Sequence, residues 1–316
     1  MSRLNSSPMA SEVRAADSSV GAVDGALAAV ARRLSDYLEL TKPRIVVLEL
    51  IVAGLAACVA ARHSLDLWTV FHALAATALV AASASIANQW LERGIDARMR
   101  RTANRPLPAG RVSSIEAIVL SVAALVIGAT WLALRVNALT ALLGLASWIL
   151  YVVVYTPLKT RSPLNTTVGA VAGAIPILMG WTATGAPLTL AAWSLAGVLF
   201  LWQFPHFMAI AWLYRRDYAA AGHRMLTVVD PSGVRAGVQA ITGAALLIPV
   251  SLIPAIGPTS GSPLVYSLWT IALGSAQLAL AIRFAVDRSE PAARLLLRAT
   301  LLFLPAWMAM LLVVAV

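Results

Sequence analysis

The chain is built from long apolar stretches separated by short polar ones. Nine apolar runs stand out, at 44–62, 69–91, 112–134, 138–156, 165–183, 189–213, 234–256, 263–286 and 294–316. Each approaches the roughly 20 residues that a helix needs to cross a bilayer's hydrocarbon core. None alternates polar and apolar positions with a period of two, so the pattern predicts helices and not a β-barrel. The polar connections also alternate. HSLD, RVNA, TATGAP and PAIGPTSGSP are short and nearly uncharged, whereas the intervening connections are arginine-rich. The expectation is an all-α integral membrane protein with nine transmembrane helices over residues 35–316.

Residues 1–34 lie outside that pattern. They are rich in Ala and Ser and lack the continuous apolar core of a signal peptide, and Glu12, Asp17 and Asp24 do not suit a transit peptide. They are read as a mobile cytoplasmic extension. Residues 35–41, SDYLELT, would then run along the membrane surface into the first span.

Composition supports the membrane class, since 60% of the 316 residues are hydrophobic and 12% are charged. The net charge of +10 would suggest nucleic acid in a soluble protein. Here its placement has a simpler cause. With the N-terminus inside, 22 of the 24 Lys and Arg residues fall on the cytoplasmic side, leaving Arg62 and Arg135 outside. Such asymmetry orients the bundle with its C-terminus outside and removes the case for nucleic acid. Cys58 is the single cysteine, so there is no disulfide framework, no CxxC metal site and no covalent haem motif.

Charge is densest in residues 88–110, NQWLERGIDARMRRTANRPLPAG. Asn88, Glu92 and Asp96 are four apart, and a four-residue step turns about 40° round a helix, so they share a face. Two carboxylates and an amide oxygen suit a hard cation such as Mg²⁺, which binds one or two carboxylates together with substrate phosphates. Arg101 and Arg105 follow, and arginine forks match phosphate oxygens. A solvated helix end explains any one of these residues alone, but not the spaced set. Lys42 and Arg44, in TKPR before the first span, can reach the same end of the bundle or serve topology alone.

Asn-x3-Glu-x3-Asp-x4-Arg-Thr-x2-Arg-Pro resembles the first acidic motif of the UbiA-type intramembrane prenyltransferases, which move a prenyl chain from its diphosphate to an aromatic or polycyclic acceptor. Residues 155–165, YTPLKTRSPLN, resemble that family's Tyr-x-Pro-x-x-Lys element, which implies Tyr155 and Lys159 at the diphosphate, with Arg161 beside them. Residues 202–226, WQFPHFMAIAWLYRRDYAAAGHRML, supply Asp217 as the metal ligand facing Asp96. Relatives often carry two acids there, whereas this chain has Leu213 and Ala221 at the corresponding offsets. His206 and Asp217, eleven apart, share a face if their helix is continuous.

Trp-Gln-Phe-Pro-His-Phe, containing Gln203 and His206, and the later Asp-Tyr-x3-Gly resemble the haem branch of that family. The resemblance runs from about Thr41 to the last helices. It implies transfer of farnesyl from farnesyl diphosphate to a vinyl group of haem B, giving haem O, with Mg²⁺ held by Asn88, Glu92, Asp96 and Asp217. It also implies His206 as a porphyrin ligand or proton-transfer group. The expected setting is a bacterial inner membrane rather than a mitochondrial one. The expected recipient of product is a haem-A-forming enzyme or terminal-oxidase assembly.

Other residues draw blander readings. Aromatics crowd the inward helix ends as anchors, and the pair Gly169 and Gly173 reads as a close contact inside the bundle. His223 reads as a solvated loop residue, and His63 and His72 lie toward the outer face. Glu49, about one turn inside the first span, has no assigned role. Three rival functions remain: the same chemistry on a quinone precursor or another tetrapyrrole, transport of an anionic or polyprenyl solute, and a factor that only hands haem on.

Topology is directly testable. An alkaline phosphatase fused after Val316 should be active and a fluorescent-protein fusion there dark; the opposite pair of results refutes the orientation.

Overall fold

The computed structural model describes residues 25, 27–61, 64–256 and 261–315. Among these residues, nine helices are long and apolar enough to span a membrane. A first helix, α1 (27–40), precedes them. The spans are α2 (Pro43–Ala61), α3 (Leu67–Asp96), α4 (Ser114–Arg135), α5 (Ala138–Leu158), α6 (Asn165–Ala183) and α7 (Leu190–Leu213). Two short helices follow, α8 (Arg215–Ala220) and α9 (Leu226–Val229), and then the spans α10 (Val234–Leu252), α11 (Pro263–Asp287) and α12 (Glu290–Ala315).

Local chemistry sets the helix starts. Pro43 occupies the first position of α2, where a missing N–H costs nothing. Ser113 and Glu116 form a reciprocal capping box on α4. Asn137 caps α5 through Thr140 N–H. Lys42, at φ 53°, makes the turn between α1 and α2.

The bundle is arranged around α6 and α7, in which 78% and 67% of the span is buried, against 22% in α4. α2 packs on α6; α10 and α12 pack on α7; α3 and α4 form a pair further out. Large apolar side chains such as Ile115, Val119, Leu264, Leu302 and Val313 are exposed, as a lipid-facing surface requires. At the α2–α6 crossing a Cβ on Gly180 would lie 1.9 Å from Ala53 O, so the two backbones approach as closely as glycine permits. Gly169 and Gly173 do sit inside the bundle, against the Tyr155 ring and the Gln203 amide.

The structure departs from expectation at several points. α1 is helical from 27, so ordered structure begins before residue 35. It is tied to the start of α4 by the Arg33–Glu116 ion pair and to the α3–α4 loop by Arg111 Nε donating to Asp36 Oδ1 at 2.8 Å. α3 continues five residues past the apolar run, because Glu92 and Asp96 are buried against partners. α7 does not continue to Asp217. It ends at Leu213, Tyr214 adopts φ −106° and ψ 18°, and Asp217 belongs to α8, so the shared-face argument for His206 and Asp217 fails. Pro205, by contrast, lies within unbroken helix. The readings of residues 1–24, Arg62 and His63 fall outside the described residues.

The α2–α6 crossing generates a stability prediction. Gly180→Ala should destabilise the bundle by about 1–3 kcal/mol through overpacking, read as a lowered thermal midpoint in detergent. An unchanged midpoint contradicts the close crossing.

Candidate active site

The C-terminal end of α3 carries the expected polar ladder. Asn88, Glu92 and Asp96 face the bundle interior and are only 0%, 6% and 1% exposed. Buried carboxylates need compensating charge, and each finds a cation. Lys159 Nζ lies 2.8 Å from Glu92 Oε1 and 2.9 Å from Oε2. Arg105 Nη1 donates to Asp96 Oδ2 at 2.8 Å. Lys42 Nζ donates to Asn88 Oδ1 at 2.6 Å. The Asn88 amide completes the ladder by donating to Glu92 Oε2 at 2.9 Å and Thr156 Oγ1 at 3.0 Å.

Loops bring these cations in. The α3–α4 loop curls back, with Thr102 Oγ1 donating to Asp96 O at 2.8 Å, which sets Arg105 against the acid. On α5, residues Leu150–Tyr155 form a π-helical turn. The extra residue per turn shifts the helix's register. Tyr151 and Tyr155 line the interior cavity, while Lys159 reaches Glu92 with its ammonium 4.6 Å from the Tyr155 ring centre. Tyr155, Glu92 and Tyr151 together outweigh desolvation and hold the Lys159 ammonium above its ordinary pKa. Withdrawal from water, with Lys159 and Arg105 nearby, pushes Lys42 the other way, to about 7.

Not every expected cation joins this cluster. Arg44 and Arg161 are exposed, and their side chains make no hydrogen bond or ion pair among the described residues. Arg101 is exposed, with its guanidinium 5.0 Å from the Tyr214 ring centre. Asp217 is half-buried on α8. Among the described residues, no three His, Cys, Asp or Glu side chains gather as a metal cage.

His223, read from sequence as solvated, is instead only 4% exposed. The reason is a fold-back of the α8–α9 connection. Gly222 turns at φ 77°, Arg224 N–H donates to Lys159 O at 2.6 Å, and Asn165 Nδ2 donates to Arg224 O at 3.3 Å. This docks the connection on the loop that carries Lys159. His223 then lies in the field of Glu92, Lys159 and Asp96, and burial lowers its pKa. The sequence signal was the left-handed-prone glycine just before it, which marked a reversal but not what the reversal packs against.

A cavity of about 360 Å³ opens above the polar cluster, between α2, α3, α5, α6 and α7. That volume lies within the roughly 300–1,000 Å³ usual for ligand sites. Its walls are mostly apolar, with Trp148, Tyr151, Tyr155, Trp202 and Phe207 as ring surfaces, the hydroxyls of Thr77, Ser85 and Ser147, and Glu49, Gln203 and His206 as the stronger polar groups. Gln203 Nε2 is tied to Ala170 O at 3.0 Å and Leu199 O at 3.2 Å, so this residue shapes the wall. His206 stacks on Trp202 with ring centres 4.8 Å apart, and its Nδ1 is 2.9 Å from Thr300 Oγ1. Thr300 spends its single hydroxyl proton on Leu297 O at 2.7 Å. The tautomer that matches this arrangement has Nδ1 of His206 donating to Thr300, which leaves Nε2 with its lone pair. His72 is remote, accepting from Trp131 Nε1 at 2.9 Å sixteen residues up α3 from Asn88.

The hard oxygens of Asn88, Glu92 and Asp96 are the donor chemistry that Mg²⁺ takes, and the cations on them are the type that binds phosphate. The residues therefore fit a metal–diphosphate group, with prenyl and acceptor moieties in the apolar cavity behind it.

Comparison with known proteins agrees with this arrangement. Residues 49–314 match the model of the UbiA prenyltransferase family. The chain is 43% identical over 275 residues to a protoheme IX farnesyltransferase of Rhodopirellula baltica, covering 85% of this chain and 96% of that one. Its fold is similar to that of a digeranylgeranylglyceryl phosphate synthase (TM-score 0.75, 15% identity, 90% of this chain and 99% of that one). It is also similar to that of a UbiA homologue from Archaeoglobus fulgidus bound to GPP and Mg²⁺ (TM-score 0.63, 17% identity, 87% and 99%). The chain belongs to the UbiA prenyltransferase family.

Proposed function

We propose that the protein transfers the farnesyl group of farnesyl diphosphate to a vinyl carbon of haem B, giving haem O and diphosphate, within a bacterial inner membrane. The observation that carries this reading is the juxtaposition of the buried Asn88–Glu92–Asp96 ladder and its cations with an apolar cavity bearing an imidazole.

In this account Asn88, Glu92 and Asp96 hold Mg²⁺, with Asp217 completing the set from α8. A divalent ion held by these oxygens would supply positive charge to offset that of the diphosphate. Lys159 and Arg105 pivot from the acids, and Lys42 from the Asn88 amide, to phosphate oxygens, and Arg101 approaches from the rim. Arg44 and Arg161 act as outer cations that draw the trianionic substrate toward the site. These charges stabilise the diphosphate as the C1–O bond breaks. The ring faces of Tyr151 and Tyr155 lie beside the allylic cation and shield it from water. His206, with Nδ1 anchored to Thr300, offers Nε2 to the haem iron and so orients the porphyrin. A ligating imidazole characteristically donates its other nitrogen's proton in this way. Gln203 supports the wall between the acceptor and α6. Product would pass to a haem-modifying enzyme or oxidase in the same bilayer.

The decisive assay supplies purified protein with farnesyl diphosphate, Mg²⁺ and haem B. Haem O and diphosphate should appear together and stop when the metal is chelated. Turnover of a phenolic acceptor without haem O, or diphosphate release indifferent to Mg²⁺, contradicts the proposal.

Two variant sets follow. Glu92→Gln and Asp96→Asn should each lower kcat by about 10²–10³-fold, since each removes a carboxylate that would hold the metal acting on the leaving group. Substrate binding without turnover in wild type would instead indicate a carrier. His206→Ala should raise KM for haem B more than it lowers kcat and should change the Soret spectrum of bound haem. An unaltered spectrum removes His206 from the iron.

A further inference from the structure

Farnesyl transfer leaves one step without a protein group. The π pair of the vinyl bond forms the new C–C bond to farnesyl C1, and the electrons of the C1–O bond leave with the diphosphate. The vinyl carbon next to the porphyrin ring is then a cation. A water oxygen closes on it, one of that water's O–H bonds breaks, and the proton needs an acceptor inside an apolar cavity.

We propose that Glu49 is that acceptor: its carboxylate holds the attacking water in the cavity and takes its proton. The assignment rests on the farnesyl-transfer reading above. Glu49 is the one carboxylate lining the cavity among the described residues. No hydrogen bond or ion pair with a described residue holds it, so its oxygens are available. It follows Lys42 by seven residues, 43–49, all of them in helix. That places it about two turns, roughly 10 Å of helix rise, further along α2 than the Lys42 backbone. A separation of that order suits the chemistry, because C1 and both vinyl carbons lie between the departing diphosphate and the entering water.

The other polar groups on the cavity wall are committed or unsuited: Thr77, Ser85 and Ser147 offer only hydroxyls, which are poor proton acceptors, and Ser147 Oγ donates to Ala172 O at 3.1 Å. His206 Nδ1 donates to Thr300 Oγ1, and its Nε2 is assigned to the iron. Gln203 is bound to two backbone carbonyls. Tyr151 and Tyr155 are phenols, which are poor proton acceptors when neutral. A carboxylate facing a mostly apolar wall also gives one water a hydrogen-bond acceptor while the surrounding surface excludes bulk solvent. It supplies a reason for an acid at this depth in a span, where charge is disfavoured.

The test compares wild type, E49Q and E49D as full-length purified protein with farnesyl diphosphate, Mg²⁺ and haem B. Diphosphate release and porphyrin products, identified by mass, are measured in the same reaction. In E49Q the ratio of haem O to diphosphate should fall by roughly 10²-fold. A farnesylated porphyrin lighter than haem O by one water should appear, formed when the cation loses a proton from carbon instead. E49D keeps the acid one methylene short and should give an intermediate ratio. If the ratio in either variant equals that of wild type, Glu49 is not the acceptor. That holds even when both rates fall together, as they would for a purely structural role. Should E49Q fail to fold, the ratio in E49D decides alone. Failure of the transfer reading would show separately, as absence of haem O from wild type.

Discussion

A carboxylate that leaves water must be met by a counter-charge, and this requirement organises the half of the molecule around the C-terminal end of α3. Glu92 lies against Lys159 and Asp96 against Arg105, while Asn88 bridges Glu92, Thr156 and Lys42. Removing one partner from such a pair strands the other in low dielectric, at a cost of about 3–5 kcal/mol. The α3–α4 loop, the π-turn of α5 and the turn at Lys42 are each shaped so that a cation arrives at the α3 face. The same pairs make the chemistry available. A site that holds acids and bases in mutual contact can exchange those contacts for a metal and a diphosphate with little net change in buried charge.

Around this cluster the fold separates two environments. Below it, polar loops fold back on one another, with Arg224 N–H bound to Lys159 O. Above it, the central helices α6 and α7 close an apolar chamber, and lipid covers the outer helices. The proposed reaction needs both, because the leaving group is a polyanion and the intermediate is a cation that water destroys. Thr300 on α12 links the two central tasks from a distance, accepting from His206 Nδ1 through its hydroxyl and from Trp202 Nε1 through its carbonyl.

Much of this was legible in the sequence because a bilayer imposes simple rules. Apolar length located all nine spans, and the four-residue spacing placed Asn88, Glu92 and Asp96 on one buried face. Lys159 was found through the Tyr-x-Pro-x-x-Lys element. What sequence missed depends on tertiary docking. Nothing in WLYRRDY announces the break at Tyr214, since no Pro or Gly marks it. The π-turn in Leu150–Tyr155 has no local signature. His223 looked solvated because loops at a membrane face usually are; its burial follows from contacts with a loop sixty residues away in sequence. Arg44 and Arg161 stay exposed, and basic residues near a charged motif can serve topology as well as a site.

The most direct test of the central claim is to locate a divalent ion in the protein bound to a non-reactive farnesyl diphosphate analogue, using Mn²⁺ in place of Mg²⁺ and its anomalous scattering. The account predicts the ion among Asn88, Glu92 and Asp96, bridging to the diphosphate, with the Lys159 ammonium moved from Glu92 to a phosphate oxygen. An ion bound elsewhere, or Lys159 still paired with Glu92 beside a bound diphosphate, would contradict it.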